Sequence, residues 1–198
     1  AYRSAKNEAL AVVAEIEAAG QRGIAVQVDT GVESDVVRLF KTVDAELGTL
    51  TGLVNNAGVY GPHGRLDALS QDDLMKVLAV NVAGLFTCSR EAVLRMSTKH
   101  GGKGGAIVNI SSMAAWTTYP WVTYKATKSA MIEMTKQLAI QNAEYGIRAN
   151  VILPGLVDTP MAVDRRAEAF ERPRADIAAE RDSKVTLDRK STRRNSSH

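Results

Sequence analysis

An α/β fold built on a parallel sheet is predicted by two observations. Along the chain, segments with helical spacing of apolar residues alternate with short apolar runs of strand length. The 198 residues, 45% hydrophobic and 24% charged, suffice for one packed domain and are too few for two comfortable ones. No internal repeat, low-complexity core or linker interrupts the pattern, so one domain is expected over residues 1–187, followed by a tail at 188–198.

Each element follows from its own residues. Leu10, Val13 and Ile16 give the first helix an apolar stripe that Gly20 or Gly23 ends. Residues 24–28 form an apolar run ending at Asp29, and predict a strand. Val36, Leu39, Phe40, Val43 and Leu47 are spaced for a second helix stopped near Gly48, and residues 50–54 predict a second strand. A long helical region over about 70–97 carries an expected interruption near Asn81. Four glycines, at 101, 102, 104 and 105, lead into a strand at 106–110. A helix at about 124–143, a strand at 148–153, a loop and a charged helical segment complete the order.

Composition narrows the function classes. No run of about 18 apolar residues and no signal-type opening is present, so a cytoplasmic protein without membrane partners is expected. Cys88 is the single cysteine and, among Leu85, Phe86 and Thr87, reads as a small buried hydrophobe. The formal charge of +3 does not point to nucleic acid. Residues 188–198 carry Arg189, Lys190, Arg193 and Arg194 against Asp188, which leaves 21 basic and 21 acidic residues in the rest. That tail resembles, apart from Arg194, the in-frame translation of a common sequencing adapter, and is expected to be artefactual or disordered; the rival reading is a basic arm for an anionic surface. His63 and His100 lack metal-ligand company, so no metal is expected.

Tyr124-Lys125-Ala126-Thr127-Lys128 is the segment that points to chemistry. On a helix, positions four apart share a face, so the phenol and the ammonium can act on one substrate. A phenol titrates near ~10, and acid–base work near neutrality needs its anion stabilised. A lysine charge about 5 Å away in an effective dielectric of roughly 20 supplies on the order of 3 kcal/mol, or about two pKa units. Alone, the pair could equally be an exposed helix pair.

Its company is Leu53-Val54-Asn55-Asn56-Ala57-Gly58, then Asn81-Val82-Ala83-Gly84, Ile107-Val108-Asn109-Ile110-Ser111-Ser112, and Val151-Ile152-Leu153-Pro154-Gly155-Leu156-Val157-Asp158-Thr159-Pro160. In this order, over roughly residues 1–180, the chain resembles the short-chain dehydrogenase/reductase family. The resemblance implies a Rossmann-like doubly wound sheet. Against the family pattern, Ala1-Tyr2-Arg3-Ser4 resembles the end of a second strand, so the first strand, glycine-rich turn and first helix are expected to be lacking, as is the last strand. The expectation is a piece of an enzyme that is inactive as it stands.

The same resemblance assigns roles. Tyr124 would exchange the proton at the substrate oxygen, Lys128 would lower its pKa and bond the nicotinamide ribose, and Asn81 would hold a water in a proton relay. Ser112 would bond the substrate oxygen; Ser111 is the fallback, because Ser112 precedes Tyr124 by one residue fewer than is usual in the family. Asn55, Ala57 and Gly58 would border the cofactor, and Asp29 would meet the adenine, with a helix cap as its alternative. Pro154, Gly155, Val157 and Thr159 would contact the carboxamide. Arg3 and Ser4, with no acid at the discriminating place, favour NADP over NAD, with dual use open. Ser111, Trp116, Tyr119 and Trp121 belong to the expected substrate wall.

The expected reaction moves hydride between NADP or NAD and a secondary alcohol or ketone. Within that class, 3-oxoacyl-thioester reduction and sugar or polyol dehydrogenation are alternatives; outside it, a non-catalytic Rossmann-like binding protein is the rival. The resemblance also implies a homodimer or homotetramer. Leu85, Val93, Met131, Met134 and Leu138 are expected on the free faces of the two long helices that would form its interface.

Overall fold

The computed structural model describes residues 1–117 and 121–183, in two compact units, Ala1–Leu153 and Pro154–His198. The adapter-like tail and Tyr119 lie outside the described residues.

In the first unit, helices α1 (Lys6–Ala18) and α2 (Glu33–Glu46) precede strand β1 (Gly52–Asn55). Then come α3 (Gln71–Leu78), a π-helical turn (Ala79–Ala83), α4 (Gly84–Met96), β2 (Gly105–Ile110), α5 (Val122–Asn142) and β3 (Ile147–Ile152). The three strands form a parallel sheet in the order β1-β2-β3, as the alternating pattern predicts. The strand expected at 24–28 contracts to one bridge, Tyr2 with Gln27. Its ladder holds two backbone hydrogen bonds, Tyr2 N–H to Val26 C=O and Val28 N–H to Tyr2 C=O, because a lone partner residue supports no longer pairing.

Apolar spacing explains how the helices dock. Val36 and Phe40 of α2 meet Cys88, Ala92 and Met96 of α4 over Ile107 and Ile147 of the sheet, with Val28 completing a buried cluster. The Cys88 thiol is pushed up to about 11, by burial first and by Glu91 second, so it is inert filling, as expected. Gln71–Met96 is long and apolar enough to cross a membrane, yet half of its apolar window is buried within the protein, which is how a core helix behaves.

Burial corrects the surface expected for subunit contact. Leu85 and Met131 are 5% and 1% exposed, and Val93 and Leu138 pack against the core. Those four are spent on the protein's own interior, while Met134 is half-buried. The large apolar side chains these helices expose are instead Phe86, Leu94, Val122 and Ile140.

Two local devices place the functional segments. Ser70 caps α3, its hydroxyl accepting from the Asp73 N–H at 3.1 Å. Gly84 opens α4 against the loop after Asp29, where a Cβ would lie 2.5 Å from the Thr30 carbonyl oxygen. Only glycine allows that approach, which gives the Asn81-Val82-Ala83-Gly84 spacing a packing reason.

In the second unit, the π-helical turn Pro160–Asp164 leads into α6 (Arg165–Ala169), followed by α7 (Arg174–Ser183). Arg174 bridges Asp158 at 2.7 Å and Asp164 at 2.8 Å.

Candidate active site

Sheet register brings the motifs of the first unit together. Asn55 of β1 lies beside Asn109 of β2, and its amide donates to Asn109 Oδ1 at 2.9 Å. Asn109 donates in turn to the Thr135 hydroxyl of α5 at 2.8 Å. This buried polar chain ties the loop after β1, the strand leading to the serines and the helix of Tyr124 into one frame.

Tyr124 and Lys128 are 7% and 3% exposed on α5. The Lys128 ammonium lies over the Tyr124 ring, 5.5 Å from its centroid. It donates to the Ile110 carbonyl at 2.6 Å, and burial pulls its pKa down to about 8. A cation that is so lightly solvated favours a negative charge beside it.

Asn81 is fully buried in the π-helical turn. Its Oδ1 accepts from the Val59 N–H at 2.8 Å, while Nδ2 donates to the Val59 carbonyl at 2.9 Å and to the Thr127 hydroxyl at 3.0 Å. The side chain is therefore a clamp on the loop after Gly58. A Cβ on Gly58 would lie 3.4 Å from Asn81 Oδ1 and 3.6 Å from Lys128 Nζ, so the bare backbone there faces these two side chains at ordinary contact distance.

The two serines differ in their commitments. Ser111, 3% exposed, donates to the Lys128 carbonyl at 2.7 Å. Ser112 is half-buried and its hydroxyl accepts from the Ala114 N–H at 3.1 Å, which leaves its proton to be given elsewhere. Beyond it, Trp116 is 69% exposed.

A cleft of about 540 Å³ gathers Arg3, Asp29, Asn55, Ala57 and Gly58. Ser4 is absent from its described lining, where Arg3 is the basic side chain and Asp29 the acidic one. Asp29 is not a helix cap: α2 has Val32 at its N-cap with no side-chain cap bond, and Asp29 Oδ1 instead accepts from the Gly31 N–H in the loop before it, at 2.9 Å. Pro154, Gly155, Val157 and Thr159 belong to the second unit, where Thr159 Oγ1 accepts from the Ala162 N–H at 3.1 Å and the Val157 carbonyl accepts from Arg181 at 3.2 Å.

Three residues escaped the sequence reading. Tyr60 sets its ring edge-on to Tyr124 at 4.4 Å and stacks on Trp121 at 5.4 Å, with His63 against Trp121 at 4.9 Å. Its signal was a bulky aromatic two residues beyond a small-residue turn. Lys125 donates to the carbonyls of Ala114, Ala115 and Thr117 at 3.1, 3.0 and 2.7 Å, pinning the segment after Ser112 to the first turn of α5. Thr127 joins Asn81 to this helix.

Comparison with known proteins assigns the ancestry. The short chain dehydrogenase family model matches residues 1–169. An oxidoreductase of Escherichia coli K12 named YgfF, itself uncharacterized, is 39% identical over 162 residues, covering 81% of this chain and 66% of that protein. The 3beta-hydroxysteroid dehydrogenase of Mediterraneibacter gnavus is 36% identical over 171 residues, covering 86% and 60%. The chain thus spans 60% to 66% of the length of these two curated relatives. A short chain dehydrogenase from Burkholderia cenocepacia J2315, solved in complex with NADP, is 34% identical with a TM-score of 0.75, covering 90% of this chain and 76% of that one. A family match over most of the length, together with a sheet that overlays on a solved member, leads to one assignment: the chain belongs to the short-chain dehydrogenase family.

Proposed function

We propose that the chain carries the proton-transfer half of an NADP- or NAD-dependent oxidoreductase acting on a secondary alcohol or ketone. The observation that carries this reading is the buried Tyr124–Lys128 pair, with Lys128 Nζ 5.5 Å from the ring centroid and beside Gly58. When bound, the nicotinamide dinucleotide supplies or accepts the hydride. Tyr124 gives or takes the proton at the substrate oxygen, and the Lys128 charge stabilises the phenolate left behind. Ser112 donates to the same oxygen as charge develops on it; Ser111 is held back by its bond to the Lys128 carbonyl. Asn81 keeps the loop of Gly58 against α5, and its backbone is the candidate holder of a relay water, since π-helical turns displace a carbonyl from the regular ladder.

The residues in the cleft suit the cofactor in part. Asn55, Ala57 and Gly58 border it, and Asp29 suits an amine. Arg3 favours a 2′-phosphate, with Ser4 beside it in sequence, and the relative solved with NADP agrees. Pro154, Gly155, Val157 and Thr159 are proposed for the carboxamide on resemblance alone. For the substrate, the Tyr60–Trp121 stack beside Tyr124 and the exposed Trp116 suit an apolar carbon frame, and one relative is a hydroxysteroid dehydrogenase. Acyl-thioester and polyol substrates are the alternatives. We place the enzyme in the cytoplasm, as a homodimer or homotetramer whose contact uses Phe86 and Leu94 of α4, both exposed.

The test joins this chain to the flanking segments that its longer relatives carry. Tyr124→Phe in that protein should remove nearly all ketone reduction while NADPH binding stays within about threefold, because the phenol handles the proton and does not seat the dinucleotide. Turnover near the parent's would overturn the reading.

A further inference from the structure

We infer that Thr127 is a positioning residue: its hydroxyl completes a directed hydrogen-bond relay, from Val59 through Asn81 to the Tyr124 turn, that sets the spacing between the Gly58 loop and the helix of Tyr124 and Lys128. The inference deepens the reading of the site given above and rests on it for its functional consequence, though not for its geometry.

Proton counting gives the relay its direction. A threonine hydroxyl has one proton, and that of Thr127 goes to the Tyr124 carbonyl at 2.8 Å. Toward Asn81 it can then offer only lone pairs, so the amide nitrogen must face it. Val59 sets the other end, since its N–H demands an oxygen and its carbonyl demands an N–H. One amide orientation satisfies all three contacts: Oδ1 to the Val59 N–H, one Nδ2 proton to the Val59 carbonyl, and the other to Thr127 at 3.0 Å. The flipped amide would set oxygen against the Thr127 lone pairs and against the Val59 carbonyl. Asn81 and Thr127 are 0% and 1% exposed, so water does not substitute freely at either, and an unmet partner bears its full desolvation cost.

Chain position turns that orientation into spacing. Thr127 stands between Tyr124 and Lys128 on α5, while Asn81 grips the residue after Gly58. Gly58 in turn faces both side chains: a Cβ built on it would lie 3.4 Å from Asn81 Oδ1 and 3.6 Å from Lys128 Nζ. A loosened Asn81 therefore frees the loop from the lysine. Packing alone predicts the reverse ranking of substitutions: Thr127→Val keeps the shape and loses the hydroxyl, whereas Thr127→Ser keeps the hydroxyl and loses a methyl.

Amide hydrogen exchange on the 198-residue chain reads the relay without any cofactor. In Thr127→Val the Val59 amide should exchange about tenfold faster or more, the loss of roughly one hydrogen bond's protection. In Thr127→Ser it should stay within about threefold of the parent, and amides of β2 should hold in both. Unchanged Val59 protection in Thr127→Val, equal effects of the two variants, or a uniform acceleration that includes β2 would each overturn the inference. Should Thr127→Val not fold, Thr127→Ala against Thr127→Ser gives the same comparison, decided by the same outcomes. In the chain joined to its relatives' flanking segments, Thr127→Val should lower kcat/KM for a ketone by about tenfold or more and Thr127→Ser should restore it. A parent that reduces no ketone counts against the proposed function alone, and the exchange ranking still decides the role of Thr127.

Discussion

Ser111 donates its hydroxyl proton to the backbone carbonyl of Lys128 at 2.7 Å, and Lys128 donates its ammonium to the carbonyl of the residue before Ser111 at 2.6 Å. Helix and strand end are thus stitched in both directions, and one serine of the pair is consumed in the stitching.

The serines should accordingly separate in kinetics. Ser112→Ala should lower kcat by about a hundredfold, the usual loss for one oxyanion donor, with little effect on the urea midpoint. Ser111→Ala should cost about 1 kcal/mol of stability for its lost buried hydrogen bond and a smaller share of kcat. Parallel kcat and urea measurements on both variants, in the chain joined to its relatives' flanks, decide it; a larger kcat loss in Ser111→Ala reverses the assignment.

Lys128 should leave its mark on stability against pH. Between about 8 and its ordinary 10.5, the unfolded lysine keeps its proton and the folded one has released it. Unfolding then takes up a proton, so this group makes the folded state more stable as pH rises through that window, while its burial penalty is present in full below about 8. Urea titrations from pH 7 to 10.5 should show the parent gaining on Lys128→Met. A constant difference between them would mean that the ammonium is not desolvated.

Lys125→Met should loosen the segment after Ser112. Three carbonyls lose their common donor, and chymotrypsin should cut after the exposed Trp116 about tenfold faster. Cleavage at the parental rate would assign the hold to Ser129, which also reaches the Ala115 carbonyl, at 3.3 Å.

On its own the 198-residue chain should hold NADPH weakly, with a Kd above about 0.1 mM, well short of the micromolar range of a well-formed site. Arg3 is the basic side chain among the described lining residues of the cleft, and Asp29 opposes it. Calorimetry with NADPH measures this directly, and micromolar binding would contradict it. In the joined chain, Arg3→Asp should move the kcat/KM ratio from NADPH toward NADH; an unchanged ratio would leave Arg3 without a cofactor role.

Local pattern carried most of the fold, and the reasons it stopped are physical. The break in the long helix was readable at Asn81, because asparagine competes for backbone bonds, and the structure puts a π-helical turn there. Face assignment failed for Leu85 and Met131, since a helix covered on several sides leaves no free apolar stripe to read. The strand expected at 24–28 failed for want of a partner long enough to pair with it. Tyr60 and Thr127 act across 64 and 46 residues of chain, on Tyr124 and Asn81 respectively, separations at which no local spacing speaks.

The π-helical turn Ala79–Ala83 joins α3 and α4 into one rod with a widened turn in the middle. Deleting a single residue inside it would restore ordinary winding with the faces of α3 and α4 kept nearly in phase, since the residues of the wider turn sweep about the angle that one fewer sweeps in an α-helix. Val77, now 1% exposed, would stay on the buried side. Asn81 would lose its line to Val59 in the same stroke. The turn is thus where one residue can be lost without turning either helix, and what holds its length here is the reach of Asn81 to Val59 and Thr127.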